Sequence, residues 1–185
     1  MWYCDYAPGH PWHEPYHDHE YGFPQTGDDV LLERLALEIM QAGLSWELVL
    51  RRRAGLDAAF DWFVVDQVAA YGEAERERLL ADARIIRNRR KVDAIIENAH
   101  RIVALRAAHG SFHGWLAAQH PLSLDDWVRR FRGVFVFCGR EVVNEFLLSL
   151  GWLPHAHRPD CPVYARIAAL SPPWMDGGTS TPPVA

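Results

Sequence analysis

One residue with the potential for chemistry is an acid in a segment that is otherwise apolar and predicted to be helical. The segment LEIMQAGLSW at 37–46 puts Glu38 on the same predicted helical side as Leu31 and Leu35. A carboxylate on such a face is costly to bury unless it finds hydrogen-bond donors. Two interpretations are open. Glu38 pairs with Arg34, one turn earlier in the same helix, or it lines a pocket and accepts hydrogen bonds from a ligand.

Aromatic residues surround this acid in the second interpretation. Gly43 is predicted to end the helix and Ser45 to cap the next one, which holds Trp46 at the junction. The stretch PYHDHEYGFP at 15–24 supplies Tyr16 and Tyr21. Tyr16, Tyr21 and Trp46 are therefore candidate rings around a pocket that contains Glu38.

A second set of functional groups lies at the two ends of the chain. Cys4 and His17 stand near the start, and His157 and Cys161 stand in HAHRPDCPVY near the end. Thiolate and imidazole are the ligands of structural zinc, and a Cys2His2 set would join the N-terminal arm to the C-terminal segment. Spacing alone leaves this open, because the chain has no C-x-x-C pair and Cys4 and Cys161 are equally compatible with ordinary buried thiols.

The other histidines and cysteines widen the choice of ligands. His19 and His155 are direct alternatives to His17 and His157, although we expect His19 to be exposed. Cys138 lies in the apolar VFVFCG and is predicted to be a core residue.

Positive charge is clustered, although the formal net charge is −5. Basic side chains concentrate at 51–53, 84–91 and 129–132. Local clusters of this kind bind phosphate even on a negative protein, and they are equally typical of solvated helix ends.

The bulk composition describes a globular protein. The chain has 185 residues, of which 49% are hydrophobic and 23% charged. No apolar run is long enough to span a membrane, and the start lacks the pattern of a secretory signal. Three cysteines argue against a disulfide framework and for a reducing compartment, so we expect a cytoplasmic protein.

The elements that must position these residues are predicted to be helices. Helical periodicity is clear in VLLERLALEIMQA, in KVDAIIENAHRIVAL and in GREVVNEFLLSLG, and shorter helices are expected at 111–118 and 123–131. Asp28 or Asp29 is expected to cap the first of them. Residues 1–27 indicate an irregular arm and 171–185 a mobile tail, which leaves one all-α domain at 1–170.

Taken together, these segments resemble the DNA-3-methyladenine glycosylase I family of bacterial alkylation-repair enzymes. An early cysteine, YHDHEYGFP, LEIMQAGLSW, ARIIRNRRKVDAIIENA and a terminal HRPDC occur in the family's order and near its spacing. The resemblance covers nearly the whole chain. It implies an all-α helix-hairpin-helix glycosylase that releases 3-methyladenine from alkylated double-stranded DNA and leaves an abasic site. The sequence carries no signal of oligomeric state, and a monomer is the default expectation.

The resemblance also implies roles for particular residues. Glu38 becomes the acid that reads the base, with Tyr16, Tyr21 and Trp46 around it. The segment 79–100 becomes the hairpin that holds the DNA backbone, most plausibly through Arg87, Arg89 and Lys91. One structural Zn2+ is expected to join the termini 1–27 and 152–165, with four ligands: Cys4, His17, His157 and Cys161.

The chain departs from the family's pattern at several positions. Arg84 stands where glycine is usual, just ahead of the hairpin, and Tyr6 and Tyr21 stand where tryptophan is common. Ile39 and Met40 are bulkier than the residues frequent there. Two other functions are open: a non-catalytic, zinc-stabilised module that binds damaged DNA, and a metallohydrolase whose zinc activates water.

Overall fold

A computed structural model describes residues 2–176, and within that range it contains helices and no strand. This agrees with the predicted all-α class. None of the helices in this range combines the length and apolar character that a membrane crossing requires. The helices are α1 (Tyr3–Tyr6), α2 (His13–His19), α3 (Asp28–Gln41), α4 (Trp46–Ala59), α5 (Val65–Ala69), α6 (Glu73–Ala81), α7 (Arg89–His109), α8 (Phe112–Gln119), α9 (Leu124–Val134), α10 (Arg140–Ser149) and α11 (Pro162–Ala168).

Helix α3 lies at the centre and packs against α4, α7, α8 and α10. Its side chains Leu31, Leu35 and Ile39 have no exposed surface, and they belong to the same core as Ile95 and Ile102 of α7. Each fully buried aliphatic side chain contributes about 1.5–3 kcal/mol to stability. The long amphipathic helix expected from the sequence is thus α7, and its apolar side faces the helix that carries Glu38.

The predicted cap of α3 is wrong by one residue, because the two aspartates serve tertiary contacts instead. Gly27 is the N-cap. The Asp28 carboxylate accepts hydrogen bonds from the backbone N–H of Phe112 at 2.8 Å and from Arg106 at 2.9 Å. The Asp29 carboxylate accepts from the backbone N–H of Val65 at 2.9 Å.

The N-terminal arm is more ordered than predicted, since it contains α1 and α2. These helices have four and seven residues and no apolar period of their own. They form because they pack on the body of the protein: Cys4 in α1 and Tyr16 and His17 in α2 are buried. Helices this short gain their stability from tertiary contacts and not from intrinsic propensity.

The C-terminal segment also differs from the prediction. Helix α11 follows the HRPDC segment, and residues 171–176, assigned from the sequence to the tail, pack on the domain. The backbone N–H of Trp174 donates to the carbonyl of Gly151 at 3.1 Å, and the Trp174 ring lies 6.1 Å from that of Tyr164. The remainder of the predicted tail, 177–185, lies outside the described residues.

Candidate functional site

A cavity of about 510 Å3 opens beside the central helix, where α2, α3, α4 and α10 meet the N-terminal segment. It is walled by aromatic rings and contains two carboxyl groups. The residues that line it are Trp2, Tyr3, Tyr16, Tyr21, Glu38, Gln41, Trp46, Glu145, His155 and Ala156. The structure therefore brings together Glu38, Tyr16, Tyr21 and Trp46, the four pocket residues named from the sequence.

Glu38 faces this cavity and is only 5% exposed. Arg34, its expected partner in the alternative interpretation, pairs with Glu20 instead. Burial raises the pKa of Glu38 well above its ordinary value, the negative charge of Glu145 raises it further, and Arg34 partly opposes the shift. The acid is thus held without a salt bridge to Arg34, at a point where a ligand can reach it.

Aromatic residues form the wall next to the acid. The Tyr16 ring meets Trp46 edge to face at 5.1 Å and lies 5.8 Å from Tyr21. The guanidinium of Arg34 stacks 5.2 Å from the centroid of Tyr16, on α2. The hydroxyl of Tyr16 is buried without a hydrogen-bond partner among the described residues. An orphaned polar atom of this kind is costly in a folded protein and is typical of a site completed by a ligand or water.

Sequence reasoning missed six of the ten lining residues. Trp2, Tyr3 and His155 enter through turns and short helices that the sequence does not signal. Gln41 follows Glu38 by three residues on α3 and could have been inferred from that spacing. Glu145 gives the same signal as Glu38, an acid among apolar residues of a helix, but its segment was interpreted only as a buried helix.

Four further side chains meet at the base of the N-terminal arm. The donor atoms of Cys4, His17, His157 and Cys161 lie within 4.8 Å of one another, and all four residues are buried. The Nδ1 atom of His157 is 3.6 Å from Cys4 Sγ and 3.5 Å from Cys161 Sγ, and His17 Nε2 is 3.8 Å from Cys161 Sγ. The four ligands predicted for a metal therefore form one cluster, and His19 and His155 are exposed outside it.

The outer nitrogen of each histidine in the cluster is engaged by an oxygen. His17 Nδ1 donates to the Asp18 carboxylate at 2.6 Å, and His157 Nε2 donates to the carbonyl of Tyr21 at 2.8 Å. Each ring therefore turns its unprotonated nitrogen towards the thiols. Burial lowers the pKa of His157 to about 4, which keeps this ring neutral near pH 7. Asp18 thus orients the His17 ring.

Glu20, the other acid of the segment PYHDHEYGFP, has a different role from Asp18. Its carboxylate pairs with Arg34 and accepts from Arg53 at 2.7 Å. These contacts hold α2 against α3 and α4, and they keep Arg34 away from Glu38.

The turn between α6 and α7 carries exposed positive charge. Arg87, Arg89 and Arg90 are exposed, although Arg89 also pairs with Glu73 at 2.5 Å. Asn88 caps α7 by accepting from the backbone N–H of Lys91 at 3.2 Å. Arg84, which stands where the resembled family has glycine, keeps a negative φ and binds the Asp82 carboxylate. The substitution therefore requires no strained backbone.

Lys91 corrects the sequence prediction for this turn. Its ammonium is buried and donates to the carbonyls of Met40 at 2.8 Å and Ala42 at 2.7 Å. It does not project towards solvent and is not placed to hold a phosphate. Its position in a basic run predicted a surface contact. The end of α3 instead approaches α7 here, and its carbonyl oxygens bind the ammonium.

Comparisons with known proteins agree on one family. The family model described as methyladenine glycosylase matches residues 6–132. DNA-3-methyladenine glycosylase 1 of Escherichia coli (strain K12) is 46% identical over 96 residues, and this alignment spans 52% of the chain and 51% of that protein. DNA-3-methyladenine glycosylase of Haemophilus influenzae is 30% identical over 167 residues, which span 80% of the chain and 89% of that protein.

Solved structures show the same relationship over nearly all of the fold. A crystal structure of 3-methyladenine DNA glycosylase I superposes with a TM-score of 0.77 at 30% identity, and covers 86% of this chain and 97% of that one. The 3-methyladenine DNA glycosylase I of Staphylococcus aureus, solved to explain its recognition of 3-methyladenine, gives 0.77 at 27% identity, with 86% and 95% covered.

Proposed function

This chain belongs to the methyladenine glycosylase family, and on that premise we propose that it is a monofunctional DNA glycosylase. Its substrate is 3-methyladenine in alkylated double-stranded DNA, and its products are the free base and an abasic site. The observation that carries the proposal is the ring-lined cavity with Glu38 facing it. Relatives with the same fold are 3-methyladenine glycosylases.

The cavity suits a base taken out of the DNA stack. A glycosylase must extrude its target nucleotide, because the bond between sugar and base is otherwise shielded. A purine placed among Tyr16, Tyr21 and Trp46 would meet aromatic faces and edges on several sides.

Charge separates the damaged base from normal adenine. Methylation at N3 gives the base a positive charge while it is attached to DNA, and a cation beside an electron-rich ring gains about 0.5–2 kcal/mol. The Glu38 carboxylate adds attraction and accepts a hydrogen bond from the exocyclic amine. Bases that present an acceptor at that position are disfavoured because two acceptors then face each other.

The chemical step asks little of the protein, because a cationic purine is already a good leaving group. Water attacks the sugar carbon C1′ as the glycosidic bond breaks. The bonding pair passes to the base nitrogen, which neutralises the base, and the proton of the water leaves to solvent. The sequence contains one lysine, Lys91, and its buried ammonium is bound to two carbonyls. It cannot form a Schiff base with the sugar, so strand cleavage is not part of the activity.

Phosphate binding is assigned to the turn between α6 and α7, in a helix-hairpin-helix arrangement. Arg87 and Arg89 are exposed there, and the exposed run continues into Arg90. These groups would fix the position of the DNA without reading its sequence. Arg89 must exchange its contact with Glu73 for a phosphate.

We assign a structural zinc to the cluster of Cys4, His17, His157 and Cys161. A tetrahedron with Zn–N and Zn–S bonds of about 2.0–2.3 Å has edges of roughly 3.3–3.8 Å. The three sulfur–nitrogen separations of 3.5, 3.6 and 3.8 Å fit such edges. Bound zinc would supply cross-linking and not catalysis, since four protein ligands leave no open position for water.

Protonation of the cluster also favours a cation. Burial raises the pKa of the Cys4 thiol, so without a positive charge at the centre the thiol keeps its proton. The outer hydrogen bonds to Asp18 and to Tyr21 orient both imidazoles as they do around protein zinc sites. The three cysteines form no disulfide, as expected of a protein that works in the reducing cytoplasm.

Release of the damaged base tests the proposal directly. The protein is incubated with duplex DNA methylated at adenine N3, and any liberated purine is identified by chromatography, with unmethylated DNA as the control. We expect free 3-methyladenine and an intact phosphate backbone. Tight binding of methylated DNA without release of a purine would instead establish the non-catalytic damaged-DNA-binding module.

A further inference from the structure

The cavity contains a second carboxyl group, on the wall formed by α10. Glu145 lies on α10 and Glu38 on α3, two helices that pack against each other, and both side chains line the same space. Glu145 is half-buried, so part of its carboxyl group is open to the cavity. Recognition of a cationic base in this chain therefore has two acids available to it.

Hydrogen bonds fix the orientation of Glu145. The Tyr21 hydroxyl donates to Oε2 at 3.2 Å, and the side-chain amide of Asn144 donates to Oε1 at 3.0 Å. Each oxygen has a donor from the protein and keeps a lone pair for another. Two neutral donors favour the ionised form of a carboxyl group. Tyr21 thus serves two purposes in the cavity, since its ring is part of the wall and its hydroxyl holds an acid.

Among the described residues, the charged groups around Glu38 and Glu145 leave the cavity without a cation between the two acids. Burial raises the pKa of Glu145, opposed by Tyr21 and Asn144 and reinforced by Glu141. Glu145 in turn raises the pKa of Glu38, and Arg34 is the group that acts in the opposite direction. The other titratable groups that line the cavity are Tyr3, Tyr16, Tyr21 and His155. Burial raises the pKa of all three tyrosines, so they stay neutral.

We propose that Glu145 is a second recognition acid for the damaged base and that it makes the cavity selective for purines with a full positive charge. In the empty cavity the negative charges of Glu145 and Glu38 repel each other, and this repulsion raises the pKa of Glu38. A cationic purine between them removes that repulsion, and a neutral purine of the same shape does not. This inference rests on the proposed glycosylase function and extends it to the basis of selectivity.

The test compares Glu145→Gln with Glu141→Gln, which removes an exposed carboxylate from the same helix outside the cavity lining. We expect Glu145→Gln to lower kcat/KM for release of 3-methyladenine by about tenfold at neutral pH, because one charge contact to the cation is lost. Binding of duplex DNA with a neutral isostere, 3-methyladenine with carbon in place of N3, should stay within about twofold. Glu141→Gln should stay close to the wild type in both measurements at neutral pH, because Glu141 does not line the cavity and its charge is the weakest of the influences on the pKa of Glu145.

A pH profile separates recognition from a merely structural role. Glu145 raises the pKa of Glu38, so its removal lets Glu38 ionise at lower pH. The acid limb of kcat/KM should therefore move to lower pH in Glu145→Gln. Tyr21→Phe keeps the ring and removes one donor to Glu145. The lost donor favours ionised Glu145, so the acid limb of kcat/KM should move to higher pH in Tyr21→Phe. This second variant tests the inference if Glu145→Gln folds poorly.

Different results would contradict the proposed glycosylase function and the proposed role of Glu145. Wild-type protein that releases no purine would contradict the proposed function, and the inference with it. Wild-type release of 3-methyladenine, with Glu145→Gln indistinguishable from Glu141→Gln in rate and pH profile, would overturn the inference alone. Equal loss of binding for the neutral isostere would also overturn it, because the role of Glu145 would then be shape and not charge.

Discussion

The carbonyl oxygen of Tyr21 accepts a hydrogen bond from Nε2 of His157 at 2.8 Å. One residue thereby joins the cysteine–histidine cluster to the candidate base pocket, since the ring of Tyr21 lines the cavity and its hydroxyl holds Glu145. The two ends of the chain are therefore connected to the wall of the pocket. With the structural role proposed for the cluster, its loss should affect the activity by displacing the wall of the pocket.

Substitution of a cluster thiol tests this connection. Cys4→Ala should lose bound zinc and lower the free energy of unfolding by about 3 kcal/mol or more, because a structural metal contributes directly to folding. Release of 3-methyladenine should fall with it. Cys138→Ala is the matched control, since Cys138 is a buried thiol of the core outside the cluster. Metal analysis, thermal unfolding and base release are compared, and equal zinc content in both variants would remove Cys4 from the ligand set.

Replacement of the pocket acid should separate activity from stability. Glu38→Gln removes the negative charge and keeps the shape, so we expect release of 3-methyladenine to fall by roughly 100-fold. Stability at neutral pH should not fall, because the carboxyl group is buried and has no salt bridge with Arg34 to lose. Unchanged turnover would exclude Glu38 from the mechanism.

The same variant should change how stability depends on pH. The pKa of Glu38 is higher in the folded protein than its ordinary value of 4.5, so the folded state binds this proton more tightly than the unfolded state. The contribution of the protonated group is complete below about pH 4.5 and is lost as the pH rises through the folded value. Chemical denaturation at several pH values should show a smaller loss of stability with rising pH in Glu38→Gln than in the wild type.

Two cations of the basic segment, Arg87 and Lys91, are expected to behave in opposite ways when they are replaced. Arg87→Ala should weaken DNA binding and reduce the slope of log K against log salt by about one, with little change in stability. Lys91→Met should leave the salt slope unchanged and destabilise the fold by about 2–4 kcal/mol, because the carbonyls of Met40 and Ala42 lose their partner. Filter binding over a salt series and denaturant unfolding measure the two effects. A reduced salt slope in Lys91→Met would show that this ammonium reaches the DNA after all.

Gly22 is expected to tolerate no side chain. Its φ is +86°, and an added Cβ would lie 2.9 Å from Ile167 Cδ1 and 3.1 Å from Ala156 Cβ, next to the cluster. Gly9 has a similar φ of +78° but nothing within 4 Å, so Gly9→Ala carries the backbone strain alone. We expect a cost of about 1 kcal/mol for Gly9→Ala and roughly 3 kcal/mol for Gly22→Ala. Equal unfolding free energies would mean that α11 moves aside without cost.

The sequence predicted best where a period and a local signal agree. Helices α3, α7 and α10 follow from apolar spacing, and Ser45 caps α4 as expected, with its hydroxyl accepting from Leu48 at 3.3 Å. Helices α1 and α2 could not be predicted in this way, because their stability comes from the surface on which they pack. Asp28 was misassigned for the same reason, since its donors come from distant parts of the chain.

The site shows the same limit. Glu38 was identified as an unusual acid from its own helix, but the choice between Arg34 and a pocket depends on Glu20, which lies on another element. The four cluster residues were candidates from their ligand chemistry, with His19 and His155 as alternatives. The family resemblance chose among them, because no local spacing joins residues more than 130 positions apart. Lys91 was assigned to the surface because its burial against the end of α3 is a property of the packed chain and not of its basic segment. Glu145 was overlooked although its helix carries the same signal as that of Glu38.

The contact of Lys91 with the last turn of α3 has a consequence for how the lesion is found. Lys91 lies in the first turn of α7, and Met40, one of its two partners, is two residues from Glu38. The turn before α7, which is proposed to hold a phosphate, and Glu38 on α3, which is proposed to hold the base, are therefore linked by a direct contact between the two helices. Only a nucleotide at a fixed offset from the held phosphate would then place its base beside Glu38.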